Sequence, residues 1–136
     1  MDYLHPVLDD AAIARMSSLA LAHVGDAVYE VLVRSLLACG GLQTAKNLHR
    51  CTTQLVCAPA QAEAVQRILP LLDEAEQEVY RHGRNAKPKS VPKSASVAEY
   101  SQATALEALF GWLYLKGRYD RINELFGVIA AGFPEE

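Results

Sequence analysis

Two carboxylates stand where apolar side chains would be expected. Asp26 lies within LALAHVGDAVYEVLVRSLL, Leu19 to Leu37, and Glu107 is the only acid between Tyr100 and Leu115 in a second, similarly apolar stretch. A buried carboxylate without a partner is costly, so each must meet a cation, a hydrogen-bond network or solvent. If the two stretches are helices packed against each other, both acids can point into one site. Carboxylates from facing helices often hold a hard divalent ion such as Mg²⁺, which takes a few acids and keeps several of its own waters. A phosphate group would complete the coordination. Ion pairs with Lys or Arg from another helix explain the same pattern, and both readings stay open at this level.

The neighbours of these acids are informative. His23, Asp26, Glu30 and Arg34 follow steps of three, four and four, which sets them in one line along a helix. Glu30 is expected to pair with Arg34 at i,i+4 and to support the site rather than bind metal, and His23 reads as a hydrogen-bonded helix histidine. Thr104 and Gly111 flank Glu107 at helical spacing. Gly111 permits another backbone to come close.

A second kind of chemistry is suggested by charge. The chain carries a net charge of -3, yet five of its thirteen Lys and Arg fall between Arg81 and Lys93 with no acid among them. These are Arg81, Arg84, Lys87, Lys89 and Lys93, spaced by residues such as Asn85, Pro88 and Ser90. Such a segment suits phosphate contacts, and its lack of aromatic side chains favours a duplex backbone over stacked single-stranded bases. A merely solvated charged loop is the plain alternative, but the acidic remainder of the chain repels polyanions and makes the cluster conspicuous.

The elements that must position these groups are helical. Ala and Leu outnumber the β-branched residues, and no stretch alternates with period two for long enough to be a strand. At 136 residues the expectation is one all-α domain over 1–136 with six or so helices, a loose N-terminal arm over 1–16 and a basic loop over 85–96. Ser17 or Ser18 caps the Asp26 helix, which stops near Ala38 where Gly40 or Gly41 supplies a left-handed residue. Pro59 opens a later helix, DEAEQEVYRHGR runs from acids to bases as the helix dipole prefers, and the Glu107 helix ends at Gly117. Both acid-bearing helices are apolar nearly all round and so should sit centrally. Cys39, Cys51 and Cys57 are odd in number and lack C-x-x-C spacing, so they read as reduced thiols of a cytoplasmic protein. His23, Asp26, Glu30 and Arg34 interrupt the first apolar run, which argues against a membrane span or signal peptide.

With these residues in view, VGDAVYE resembles the signature helix of ribonuclease III enzymes, and TALEALFGWLYL resembles their later Glu-Ala-Leu helix. NLHRCTTQLVCAPAQAEAV and RHGRNAK narrow the likeness to the short Mini-ribonuclease III branch, which lacks the double-stranded-RNA-binding domain. The resemblance covers roughly Leu19 to Phe133, and ending at Glu136 leaves no room for that second domain. It implies a ribonuclease III endonuclease-domain-like helical bundle acting as a homodimer. Asp26 and Glu107 take the places of catalytic, metal-binding acids. Two further acids of the full-length enzymes are absent, with Ala22 four before Asp26 and Thr104 three before Glu107. The likeness further implies Mg²⁺, with Mn²⁺ able to substitute, and cleavage of double-stranded RNA. In the short branch it implies maturation of both ends of the 23S rRNA precursor, with a large-subunit ribosomal protein as helper.

The main competing expectation is a catalytically inactive ribonuclease III-like scaffold that binds RNA or assists ribosome assembly; retention of both acids weighs against it. An all-α pyrophosphohydrolase would need paired E-x-x-E and E-x-x-D helices, and DEAEQE stands alone. The apolar ALFGWLYL segment with Trp112 and the Asp26 helix are the candidate dimer interfaces.

Overall fold

The computed structural model describes residues 1–86 and 96–134. Seven α-helices and one 3₁₀ turn make up the regular structure there, with no strand among the described residues. Asp9 caps α1 (Asp10–Ala14), and Ser17 caps α2 (Ser18–Cys39) by accepting the Ala20 N–H. The chain leaves α2 through Gly40, which stays right-handed, and Gly41, whose φ of 108° provides the turn. Of the two candidates, Gly41 is therefore the residue that needs to be glycine. Thr44 starts α3 (Ala45–Val56), and Cys57 separates it from α4 (Ala58–Ile68), which has Pro59 in its first turn. Pro70 sits in the 3₁₀ turn Leu69–Leu71. Capping boxes, Asp73 with Glu76 and Ser96 with Glu99, open α5 (Glu74–Asn85) and α6 (Val97–Leu115). Gly117, at φ 74°, turns the chain into α7 (Tyr119–Ala130).

Helix α6 is the axle of the fold. It packs against α2, α5, α4 and α7, and Ala105, Leu106, Ala108, Leu109, Phe110 and Leu113 are wholly buried. Tyr29 from α2, Val65 and Ile68 from α4, and Leu125 and Ile129 from α7 complete the core. Each such side chain contributes about 1.5–3 kcal/mol through burial. The expectation that ALFGWLYL offers a dimer interface is therefore corrected: its apolar residues are used up inside one chain, with only Trp112 and Tyr114 half-buried.

Helix α2 is central on one side only. Tyr29 and Val33 are buried, but Leu19, Val31 and Leu36 are exposed, Val31 at 61%. Its outer side forms one wall of an apolar groove that also includes Tyr119 and Ile122. An all-round apolar pattern thus marks two different situations, a helix covered by its own chain and a helix covered only in part.

The N-terminal arm is not loose. The Leu8 N–H donates to the Leu115 carbonyl at 3.0 Å, the Tyr114 hydroxyl donates to the Leu4 carbonyl, and Lys116 Nζ meets Asp10 at 2.7 Å. A second tie joins α5 to α7. Glu76, only 1% exposed, receives both Nε and Nη2 of Arg121 at 2.8 Å, while Arg121 Nη2 also reaches the Leu71 carbonyl at 2.8 Å. Burial pushes the Glu76 carboxyl upward, but the Arg121 guanidinium and the Asp73 N–H outweigh it and hold the group below its ordinary value. Among the described residues no helix is long and apolar enough to cross a membrane, and none of the three cysteines is in a disulfide.

Candidate active site

Asp26 and Glu107 are brought together by the way α2 meets α6. Gly25 precedes Asp26, and a Cβ built on it would lie 1.6 Å from the backbone oxygen of Glu107. Gly111, one turn after Glu107, is its counterpart: a Cβ there would lie 2.0 Å from the Leu21 carbonyl oxygen. The two helices touch backbone to backbone at these glycines, which no larger residue would allow. The acids flanking the contact are therefore held by the main chain, and the two carboxylates share a side-chain hydrogen bond.

The electrostatics of the pair are unbalanced. Burial pushes the Glu107 carboxyl up to about 8, and the charge of Asp26 and the hydrogen bond to it push the same way. The one opposing influence is a hydrogen bond from Gln61 of α4. No Lys or Arg forms an ion pair with either acid among the described residues. The arrangement is short of positive charge by construction.

That shortage fits a divalent cation. Among the described residues no group of three or more His, Cys, Asp or Glu could hold a metal ion, so a cation here would take two carboxylates from the protein and its remaining ligands from elsewhere. Mg²⁺ is commonly bound in this manner, through one or two carboxylates with retained waters and substrate oxygens. Ala22, four before Asp26, is buried, and Thr104, three before Glu107, donates its hydroxyl to the Tyr100 carbonyl at 3.1 Å. Glu30 lies one turn beyond Asp26 and accepts Arg34 Nε at 2.9 Å, the i,i+4 pair expected of it. His23 is exposed and lines the apolar groove on the outer side of α2 rather than the acid pair.

Of the basic segment, Arg81, Arg84 and Asn85 are exposed at the C-terminal end of α5, and Arg81 is 3.6 Å from Glu78. Lys87, Lys89 and Lys93 lie outside the described residues.

Two features escaped the sequence reading. Gln61 sits on the buried stripe of α4 with Ala64, Val65 and Ile68, and a polar residue on an otherwise apolar 3.6-residue period was the available signal. The other is α3. No Asp or Glu occurs from Val31 to Ala62, and Lys46, Asn47, His49, Arg50 and Thr53 are all exposed on this helix. Absence of acids over a long span is a quieter mark than a cluster of bases.

Comparisons with known proteins place the chain among relatives. A ribonuclease III domain profile matches residues 19–118. The Mini-ribonuclease 3 of Symbiobacterium thermophilum is 46% identical over 117 residues, 86% of this chain and 89% of that one. The Mini-ribonuclease 3 of Desulfitobacterium hafniense is 47% identical over 121 residues, 89% of this chain and 76% of that one. A crystal structure of a Fusobacterium nucleatum protein superposes with a TM-score of 0.80 at 31% identity, covering 88% of this chain and 96% of the other. With its acid pair set between α2 and α6 and matches over most of its length, the chain belongs to the ribonuclease III family, in its Mini-ribonuclease 3 branch, and is an endoribonuclease.

Proposed function

We propose that the chain, as one catalytic unit, cuts both strands of double-stranded RNA as a two-fold dimer, using Mg²⁺ or Mn²⁺ held by Asp26 and Glu107. The observation that carries this reading is the uncompensated pair of acids fixed at the Gly25–Gly111 contact. A bound divalent ion supplies an acidified water and neutralises charge gathering on the scissile phosphate. Asp26 and Glu107 hold and orient it from opposite helices. The Glu30–Arg34 pair and the Thr104 hydroxyl settle the neighbouring turns, so that neither competes for the site.

Duplex contact is assigned to basic surfaces. One comprises Arg81, Arg84 and Asn85 at the end of α5, to which the sequence adds Lys87, Lys89 and Lys93, and the exposed face of α3 with Lys46, His49 and Arg50 is a second. The apolar groove along α2, walled by His23, Val24, Ala27 and Val31, is assigned to a second copy of the chain. Its support is economy of geometry: the same helix carries Asp26, so pairing two copies along α2 sets two acid pairs in one assembly, one for each strand. Maturation of 23S rRNA precursor stems in the cytoplasm, aided by a large-subunit ribosomal protein, follows from the likeness to the short branch.

The test is cleavage of an end-labelled RNA duplex by wild type and Asp26→Asn, with Mg²⁺ and with chelator. Metal-dependent cutting that disappears in the variant is the expected result. Binding without cutting by the wild type, on precursor stems as well as simple duplexes, would move the inactive-scaffold reading to the front.

A further inference from the structure

Gln61 is the one polar side chain on the buried stripe of α4, and it is 2% exposed. The helix places it firmly. Pro59 sets the first turn, the Gln61 N–H donates to the Cys57 carbonyl at 3.0 Å, and Ala64, Val65 and Ile68 seat the following turns in the core. An amide buried without a hydrogen-bond partner is costly, and an apolar residue at this position would avoid that cost. Gln61 spends its donor on Glu107. It comes from a third helix, so Glu107 is gripped from α2 by the backbone contact and from α4 by this amide.

We infer that Gln61 is a positioning residue of the endoribonuclease, fixing the orientation of the Glu107 carboxylate so that its free oxygen faces the metal and the scissile phosphate. This rests on the assignment of Glu107 as a metal ligand. An amide suits the task because its NH₂ donates to a carboxylate without adding charge, so it steers Glu107 without competing with the cation. Groups that orient metal ligands in this way typically matter by about 10–100-fold in metal affinity or activity.

The experiment replaces Gln61 by Met, which keeps length and burial but removes the amide, and by Asn, which keeps the amide and withdraws it by one methylene. Mn²⁺ binding is measured on the RNA-free protein by electron paramagnetic resonance, together with kcat, the half-saturating duplex concentration and Tm. The expected result for Gln61→Met is metal affinity and kcat each reduced about 10–100-fold, with duplex half-saturation and Tm near wild type. Gln61→Asn should show the same losses in weaker form, and it decides the matter alone if the Met variant does not fold. Wild-type metal affinity and kcat in a folded variant would overturn the inference, as would losses that merely follow a lowered Tm. Failure of the wild type itself to cut duplex RNA, or unaltered cutting by Asp26→Asn, would instead strike the proposed function.

Discussion

Glu76 is a buried acid and Glu107 a half-buried one, and they are treated in opposite ways. Glu76 is clasped by the Arg121 guanidinium and by the Asp73 N–H, and its carboxyl is held below the ordinary value. Glu107 faces another acid, has only an amide to help it, and is pushed up to about 8. Glu76 is finished business: its charge is answered within the chain, and it joins α5 to α7. Glu107 is left without an answering cation among the described residues, which is the observation behind its proposed role as a metal ligand. The difference sets a structural carboxylate apart from the one proposed as functional.

The comparison can be broken most forcefully at Asp26. Asp26→Asn should lower cleavage by roughly three orders of magnitude, the scale of several kcal/mol of metal-held charge stabilisation, while duplex binding persists. Retained cleavage in a quantitative single-turnover assay would remove the functional half of the contrast. The structural half predicts the reverse pattern. Arg121→Met leaves Glu76 buried and unanswered, so thermal or denaturant unfolding should report a loss of about 3–5 kcal/mol, with cleavage per folded molecule unchanged. Gly25→Ala should disturb both halves at once, by about 1–3 kcal/mol or more in stability and by most of the activity, because its methyl group collides with the Glu107 carbonyl.

Acidity sharpens the contrast. A carboxyl raised in the folded state binds its proton more tightly there than in the unfolded chain, so Glu107 takes stability away from the metal-free protein as pH rises from about 4.5 towards 8. Glu76, depressed in the folded state, contributes stability that is present above its unfolded value and is lost as pH falls through the folded one. Glu107→Gln should therefore raise the metal-free Tm at pH 8 and flatten the decline between pH 5 and 8, whereas Glu76→Gln should lower Tm at neutral pH and blunt the acid-side loss. Parallel pH–Tm curves for the two variants would erase the distinction. The smallest expected effect lies at the surface: Arg84→Ala or Arg50→Ala should weaken duplex binding modestly and reduce the salt slope of log K by about one each, with Tm unaltered.

Much of this was legible before any coordinates. The cap at Ser17, one of two candidate serines, the closing turn at Gly117 and the helical placement of both acids follow from local residue types, because caps and left-handed turns are decided within a few residues. The likeness of VGDAVYE and TALEALFGWLYL to ribonuclease III was likewise present in short runs. What stayed hidden depends on distance along the chain. Arg121 is forty-five residues from Glu76, and no periodicity links them. Gln61 speaks to Glu107 from another helix, and its only local mark is a polar break in an apolar stripe. The ALFGWLYL segment was misjudged as an interface because apolar residues alone do not say whether their cover comes from the same chain.

The glycine contact between α2 and α6 also governs how the protein fails. Since α2 and α6 meet main chain to main chain at Gly25 and Gly111, the backbones that carry the two acids cannot separate without opening the core. Amide hydrogens around Gly25 and from Glu107 to Gly111 should exchange with solvent only through complete unfolding. Activity on warming would then stay flat in quality and end abruptly, with inactivation and melting falling on a single curve.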